Sequence, residues 1–185
     1  QRIWDDPMNY SYQGLFNVEN TNVIITGTSR GIGETLAKGF LDLGANVLGL
    51  SRTNSELLKK YPKFEHLQID LKEKKSISNL INEIGLKKKK INTLINCAGI
   101  SIPIEKYTLD ENSFKETLEI NLMSAFYLSN EVAKFMKDQN NSSIINVTSI
   151  GGHLGFPSNP SYISSKAALS GLTRALSLDF AKYGI

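Results

Sequence analysis

Val23-Ile24-Ile25-Thr26-Gly27-Thr28-Ser29-Arg30-Gly31-Ile32-Gly33 is the stretch that decides the fold. The apolar run Val23-Ile24-Ile25 reads as a buried strand, the glycines as a tight turn, and Ile32 onward as the start of a helix. Gly27 permits the turn. Gly31 and Gly33 remove side chains where a phosphate would have to approach backbone N–H groups at the positive end of a helix. Glycines also make ordinary turns, so the loop by itself identifies nothing.

Outward from this loop, apolar runs of strand length alternate with longer stretches of helical period. Strands are expected at about Asn22–Thr26, Asn46–Leu50, Phe64–Ile69, Thr93–Asn96 and Ser143–Thr148. Helices are expected at about Ile32–Leu43, Ser55–Lys60, Lys74–Ile84, Glu111–Lys137 and Ser161–Lys182. Strict alternation implies parallel pairing through right-handed crossovers. The expected fold class is therefore α/β, a doubly wound parallel sheet with helices on both faces, Rossmann-like. Ligands of such sheets bind beyond the carboxyl ends of the strands, where nearly every residue singled out below lies. Residues 1–14 read as an irregular, aromatic-containing arm and 15–185 as one domain, without internal repeat or low-complexity linker.

A chain of 185 residues can bury a proper core, and 41% hydrophobic with 21% charged residues is ordinary for a globular protein. Its 21 basic and 18 acidic residues leave a net charge of +3, too little to argue for nucleic acid. The basic cluster Lys87-Lys88-Lys89-Lys90 reads as a solvated helix end that suits the dipole there; contact with a polyphosphate or an anionic surface is the alternative. Cys97 has no partner within the chain, so no internal disulfide forms. A reducing compartment is the natural inference, the cytoplasm or an organelle matrix if a targeting segment was removed ahead of Gln1. No apolar stretch approaches the ~20 residues that cross a bilayer, so no membrane partner is expected.

Tyr162 and Lys166 stand four residues apart in the last expected helix and share a face. A neutral tyrosine, with a pKa near ~10, is a poor base and a sluggish acid at physiological pH unless a nearby positive charge stabilises the phenolate. Asn159 as N-cap and Pro160 as first helical residue put Tyr162 in the first turn, where the helix dipole pushes the same way. Ser149, thirteen residues before the tyrosine, follows the last strand. Y-x-x-x-K arises easily by chance, and a free-standing Ser149 is an ordinary loop serine. Their order behind the glycine loop is what gives them weight.

The loop spacing is G-x-x-x-G-x-G, and Thr26, Gly27, Gly31 and Gly33 match T-G-x-x-x-G-x-G. From about Leu15 to Ile185 the chain resembles the short-chain dehydrogenase/reductase family, in particular its NADP-preferring carbonyl and 3-oxoacyl reductases. Asn96-Cys97-Ala98-Gly99 is similar to that family's N-N-A-G segment, with cysteine in place of the second asparagine. Cys97 is read as a small buried filler without redox role. The resemblance implies that Tyr162 is the general acid/base, that Lys166 also holds the nicotinamide ribose, and that Ser149 hydrogen-bonds the reacting oxygen. It implies that Asn121, in Glu119-Ile120-Asn121-Leu122, helps relay protons. Asparagine is unfavourable in a helix interior, which agrees with a cost tolerated for function. For the cofactor it implies contacts from Gly27, Ser29, Arg30, Gly31, Ile32 and Gly33 in the loop. Asp70 and Leu71 follow the third strand, with Asp70 at the adenine. Asn96, Ala98 and Gly99 follow the fourth, and Tyr162 and Lys166 complete the set. No metal is implied.

Cofactor choice is read at the end of the second strand. An NAD enzyme usually places an acidic side chain there for the ribose 2′-hydroxyl, whereas a 2′-phosphate demands a cation. Leu50-Ser51-Arg52-Thr53 has no carboxylate. Arg52 can grip a phosphate through several N–H donors, Ser51 can add a hydroxyl, and Arg30 can approach from the glycine loop. NADP(H) is thus expected over NAD, although Arg52 could also stack on adenine or be merely solvated.

The expected function is hydride transfer between the nicotinamide and a ketone or 3-oxoacyl carbonyl, or the corresponding secondary alcohol, with Tyr162 delivering the proton. Ile102, Ile104, His153, Leu154 and Phe156 lie in the loops expected to receive a small-molecule substrate, and their mostly apolar character suits such a compound. Two alternatives remain: a nucleotide-sugar epimerase or dehydratase, and a non-catalytic or weakly active nucleotide-binding fragment. The second arises because the chain stops at Tyr183-Gly184-Ile185, where family members usually continue into a further strand, a Pro-Gly turn and a substrate lid. The domain is therefore expected to be cut short after the catalytic helix. The resemblance also suggests a homodimer or homotetramer packed through the two long helices.

Overall fold

Alternate residues of β1 (Asn22–Thr26) enter opposite faces of a sheet, and every one from Val23 to Thr26 is buried. The computed structural model describes residues 17–86, 90–104, 110–137, 139 and 142–185. The expected arm at 1–14 and the cluster residues Lys87–Lys89 lie outside the described residues. β1, β2 (Asn46–Ser51), β3 (Phe64–Gln68), β4 (Thr93–Asn96) and β5 (Ser143–Asn146) form one sheet in the order β3-β2-β1-β4-β5. Every pairing is parallel.

Val23 and Ile25 face a core that includes Val47, Phe64 and Ile95, closed by Ala37 and Leu41 of α1 (Gly31–Asp42). Ile24, Leu50 and Leu94 face the other way, against Ile77, Leu80 and Ile84 of α2 (Lys74–Leu86). Leu128, Val132 and Met136 of α4 (Ser124–Met136) close the same core. Helices thus cover both faces, as the alternation requires. Each large aliphatic side chain withdrawn from water in this way contributes roughly 1.5–3 kcal/mol before conformational entropy is subtracted.

The expected helix at Ser55–Lys60 is a 3-10 turn, Glu56–Lys59, whose Ser55 Oγ accepts from Leu57 N at 3.3 Å. The expected helix at Glu111–Lys137 is α3 (Glu111–Leu118) and α4 joined through a π-helical turn, Glu119–Met123. The last helix, α5 (Pro160–Ala181), starts at the proline behind Asn159. Asn159 does not cap it with its side chain, because Ser101 Oγ donates to Asn159 Oδ1 at 2.8 Å and Asn159 Nδ2 donates to Pro157 O at 3.3 Å. β5 ends the sheet on one side, with Ile145 45% exposed, and Leu178 of α5 is 80% exposed. Among the described residues no helix is long and apolar enough to cross a membrane.

β1 is the switch point: β2 and β3 lie on one side of it, β4 and β5 on the other. The turns after β1 and β4 therefore leave in opposite directions and open a crevice between them. Behind the first of these turns, a Cβ on Gly49 would lie 2.5 Å from Thr28 Oγ1 and 2.5 Å from Phe64 Cζ. The bare backbone there makes room for both side chains. Thr28 is fully buried and its hydroxyl has no hydrogen-bond partner among the described residues. Thr28→Val keeps the branched shape and removes that hydroxyl, so it is expected to raise stability by about 1 kcal/mol. The urea midpoint of unfolding measures this.

Candidate active site

Gly33 opens α1 so close to the preceding turn that a Cβ there would stand 2.3 Å from Gly27 O. At Gly31 the constraint is conformational: φ is +63°, and a Cβ would meet no atom within 4 Å. The helix N-cap, Arg30, makes no side-chain cap, so the first-turn N–H groups remain open to an anion. Beyond them lies a cleft of about 1080 Å³. Gly27, Ser29, Arg30, Gly31, Ile32 and Gly33 line one wall of it, as the glycine loop predicts.

The opposite wall comes from β4, and Thr26 ties the two together. Its Oγ1 accepts from Cys97 N and Ala98 N, both at 2.9 Å. Ala98 and Gly99 line the cleft. Asn96 does not. Its side chain turns into the sheet, where Nδ2 donates to Asn146 Oδ1 at 2.8 Å and to Ser129 Oγ at 3.2 Å. Asn96 thus braces strand ends and does not reach the crevice. Cys97 is half-buried, packs against the core around Val23 and Ile25, and also lines the cleft. Burial pushes its thiol pKa up, opposed by the nearby Lys166.

Tyr162 and Lys166 both line the same cleft, with Lys166 Nζ 5.9 Å from the centroid of the Tyr162 ring. Lys166 is 4% exposed and donates to Val147 O at 2.7 Å. Burial pushes its pKa below the ordinary lysine value, with a smaller opposing contribution from Cys97. A Cβ on Gly99 would lie 3.3 Å from Asn121 Oδ1 and 3.5 Å from Lys166 Nζ. Four elements thus converge at this point. Asn121, in the π-helical turn, is 1% exposed; its Oδ1 accepts from Ile100 N at 2.8 Å. Its Nδ2 donates to Ile100 O at 2.9 Å and to Ser165 Oγ at 3.0 Å. The amide therefore clamps the loop after β4 to α5. Insertion of one residue into a helix at a functional position is a recurrent use of the π-turn. Ser149 Oγ accepts from Gly151 N at 3.1 Å, and accepting leaves its own hydrogen available to another oxygen. Ser149 is not among the residues lining the cleft.

At the second-strand end, Arg52 and Arg30 are both exposed and line the cleft, and neither guanidinium has an ion-pair partner among the described residues. Ser51 lines the cleft beside Arg52, and its hydroxyl donates to Thr53 O at 2.9 Å and meets His66 Nε2 at 2.8 Å. Asp70 and Leu71 line the cleft, with Asp70 Oδ1 accepting from Lys72 N at 3.0 Å. Open helix amides, a side-chain-free approach at Gly31 and two unpaired guanidinium groups together fit a nucleotide pyrophosphate and ribose. Sequence reasoning missed the structural parts played by Thr26 Oγ1, Ser165 and His66. Thr26 stood inside the loop motif and Ser165 beside Lys166, whereas nothing in the chain order pointed to His66.

The family model for short chain dehydrogenase matches residues 21–185. A 3beta-hydroxysteroid dehydrogenase of Mediterraneibacter gnavus is 32% identical over 173 residues, covering 88% of this chain and 62% of that enzyme. The 3-oxoacyl-[acyl-carrier-protein] reductase FabG of Buchnera aphidicola subsp. Schizaphis graminum is 31% identical over 172 residues, 91% of this chain and 70% of the reductase. A solved 4-hydroxyisoleucine dehydrogenase complexed with NADH superposes with a TM-score of 0.83 at 33% identity, over 90% of this chain and 70% of that one. With the switch-point crevice and the glycine loop already in view, the chain belongs to the short-chain dehydrogenase family. It spans less than two thirds of the hydroxysteroid dehydrogenase and about 70% of the other two.

Two measurements test this geometry. Gly33→Ala sets a methyl against Gly27 O, so it is expected to destabilise the chain by about 2 kcal/mol or more and to abolish nucleotide binding, read by denaturation and by calorimetry. In the unfolded chain Lys166 titrates at its ordinary 10.5, in the folded chain lower. Between those values the unfolded state binds more protons, so this lysine's contribution to stability is complete above the unfolded value and is lost as pH falls through the folded one. The stability of the native chain relative to Lys166→Met is therefore expected to improve as pH is raised towards 10.5, in paired unfolding curves.

Proposed function

We propose that this chain serves hydride exchange between NADP(H) and a ketone or 3-oxoacyl carbonyl, or the corresponding secondary alcohol, with Tyr162 as general acid/base. The observation that carries the reading is the convergence of Tyr162 and Lys166 with Gly99 at one wall of the crevice, opposite the open amides of α1. When bound, the nicotinamide supplies or receives the hydride. Tyr162 Oη gives its proton to the carbonyl oxygen, and Ser149 Oγ–H donates to that same oxygen as charge builds on it. Lys166 Nζ, 5.9 Å from the ring centroid, sets a positive charge where it offsets the negative charge that develops on the phenol oxygen as the proton leaves. Asn121 keeps Ile100 and Ser165 in place around that lysine, and its part in a proton relay belongs to the same reading.

The preference for NADP over NAD is supported by the two unpaired guanidinium groups of Arg30 and Arg52 and by the lack of a carboxylate at the end of β2. The solved relative named above carries NADH. The reading for this chain therefore rests on its own arginines. Leu154 and Phe156 expose apolar surface in the loop after Ser149, and Ile102 is half-buried in the loop after β4, which suits an apolar substrate. Assembly as a dimer or tetramer and residence in the cytoplasm or an organelle matrix belong to the same proposal.

Tyr162→Phe tests it directly in a polypeptide that turns over NADPH with a panel of ketones and 3-oxoacyl thioesters. The rate is expected to fall by about 10²–10⁴ with nucleotide binding retained. Unchanged turnover overturns the acid/base role. Binding of NADPH with no turnover across the panel favours the non-catalytic reading. Arg52→Asp is expected to lower the NADPH-to-NADH preference by more than about tenfold, measured as the ratio of kcat/KM values.

A further inference from the structure

Two hydrogen bonds brace the turn that carries Arg52, and one of them comes from a histidine that does not line the crevice. Ser51 Oγ donates to Thr53 O at 2.9 Å across Arg52, and the same oxygen lies 2.8 Å from His66 Nε2. A hydroxyl has one hydrogen. With that hydrogen on Thr53 O, only lone pairs face the imidazole, so His66 carries a proton on Nε2 and donates it. Ser51 is also fixed through its backbone, where Ile69 N donates to Ser51 O at 3.1 Å. His66 stands on β3 opposite Gly49, its ring 6.2 Å from that of Phe64. Burial pushes the imidazole pKa below its ordinary value, which keeps the ring neutral at neutral pH. Arg52, by contrast, is exposed and without an ion-pair partner among the described residues. The backbone on both sides of it is held while its guanidinium stays free to meet an anion.

The geometry points to His66 as a positioning residue for cofactor choice. By donating to Ser51 it holds the Ser51–Thr53 turn so that Arg52 presents to the crevice as the receptor for a nucleotide 2′-phosphate. This rests on the NADP reading above. His66 acts through Ser51 and touches no ligand, so its effect is confined to nucleotides that carry the 2′-phosphate. A residue that merely supported the strand would affect all adenine nucleotides alike.

Calorimetric titration of the native chain, His66→Met and His66→Gln with 2′,5′-ADP and with 5′-AMP separates these outcomes, circular dichroism confirming that each variant is folded. The native chain is expected to prefer 2′,5′-ADP. His66→Met is expected to lower that preference roughly fivefold, the loss of one hydrogen bond, with the affinity for 5′-AMP unchanged. His66→Gln, whose amide N–H reaches to about the position of Nε2, is expected to restore it. If His66→Met does not fold, His66→Asn, whose shorter amide does not reach Ser51 Oγ, carries the same test. A native chain that binds both nucleotides equally overturns the NADP reading and this inference with it. A native preference that survives His66→Met, or equal weakening of both nucleotides, overturns the role of His66 alone.

Discussion

One threonine hydroxyl keeps the two walls of the crevice in register. β1 and β4 are neighbours whose exit turns diverge, and the first two amides after β4 have no strand to continue pairing with. Thr26 Oγ1 accepts both, from Cys97 and Ala98, at 2.9 Å. Buried amides left unpaired would cost about 1–3 kcal/mol each, so this side chain lets the chain leave the sheet without that penalty. Gly27 is next in sequence, and Gly33 then seats α1 against the same turn. From this seam the open amides of the helix face Ala98 and Gly99 across the gap.

The buried lysine is the expensive part of the arrangement. Lys166 holds an ammonium at 4% exposure with Val147 O as its hydrogen-bond acceptor, and its lowered pKa is the signature of that burial. Packing alone would favour an apolar side chain here. In the proposed reading its position between Tyr162 and Gly99, beside the Asn121 clamp, gives the cation a use that offsets the lost stability, as functional sites often do. Asn121 shows the same economy. An asparagine weakens a regular helix, yet in the π-helical turn every polar atom of its amide finds a partner.

At the far end of the cleft the logic is electrostatic. Among the described residues two guanidinium groups stand without counter-ions, and Lys72, close enough to sense Arg52, is paired with Glu116 at 2.9 Å. Surface charges of this kind contribute little to folding. In the proposed reading their value is in binding an anion that brings its own charge. Behind Arg52, the side chains of Ser51 and His66 bond each other.

Periodicity in the chain was enough to foresee the parallel sheet, helices on both faces and the crevice past β1. Strand and helix signals are local, and a run such as Val23-Ile24-Ile25 has few other places to go. The glycine loop, Tyr162 with Lys166, and Arg52 were singled out by their order along the chain, each being weak alone, and the fold brings them to one cleft. What each side chain touches was decided by the tertiary structure. Asn96 was expected at the cofactor and instead bonds Asn146 and Ser129, which β-pairing and α4 bring to it. Ser51 was read from its place at the end of β2, but its bonds to Thr53 and to a histidine fifteen residues away were not foreseen. A hydrogen bond of a polar side chain depends on which of several donors and acceptors lies within about 3 Å, and strands remote in sequence supply that distance only once the sheet has formed.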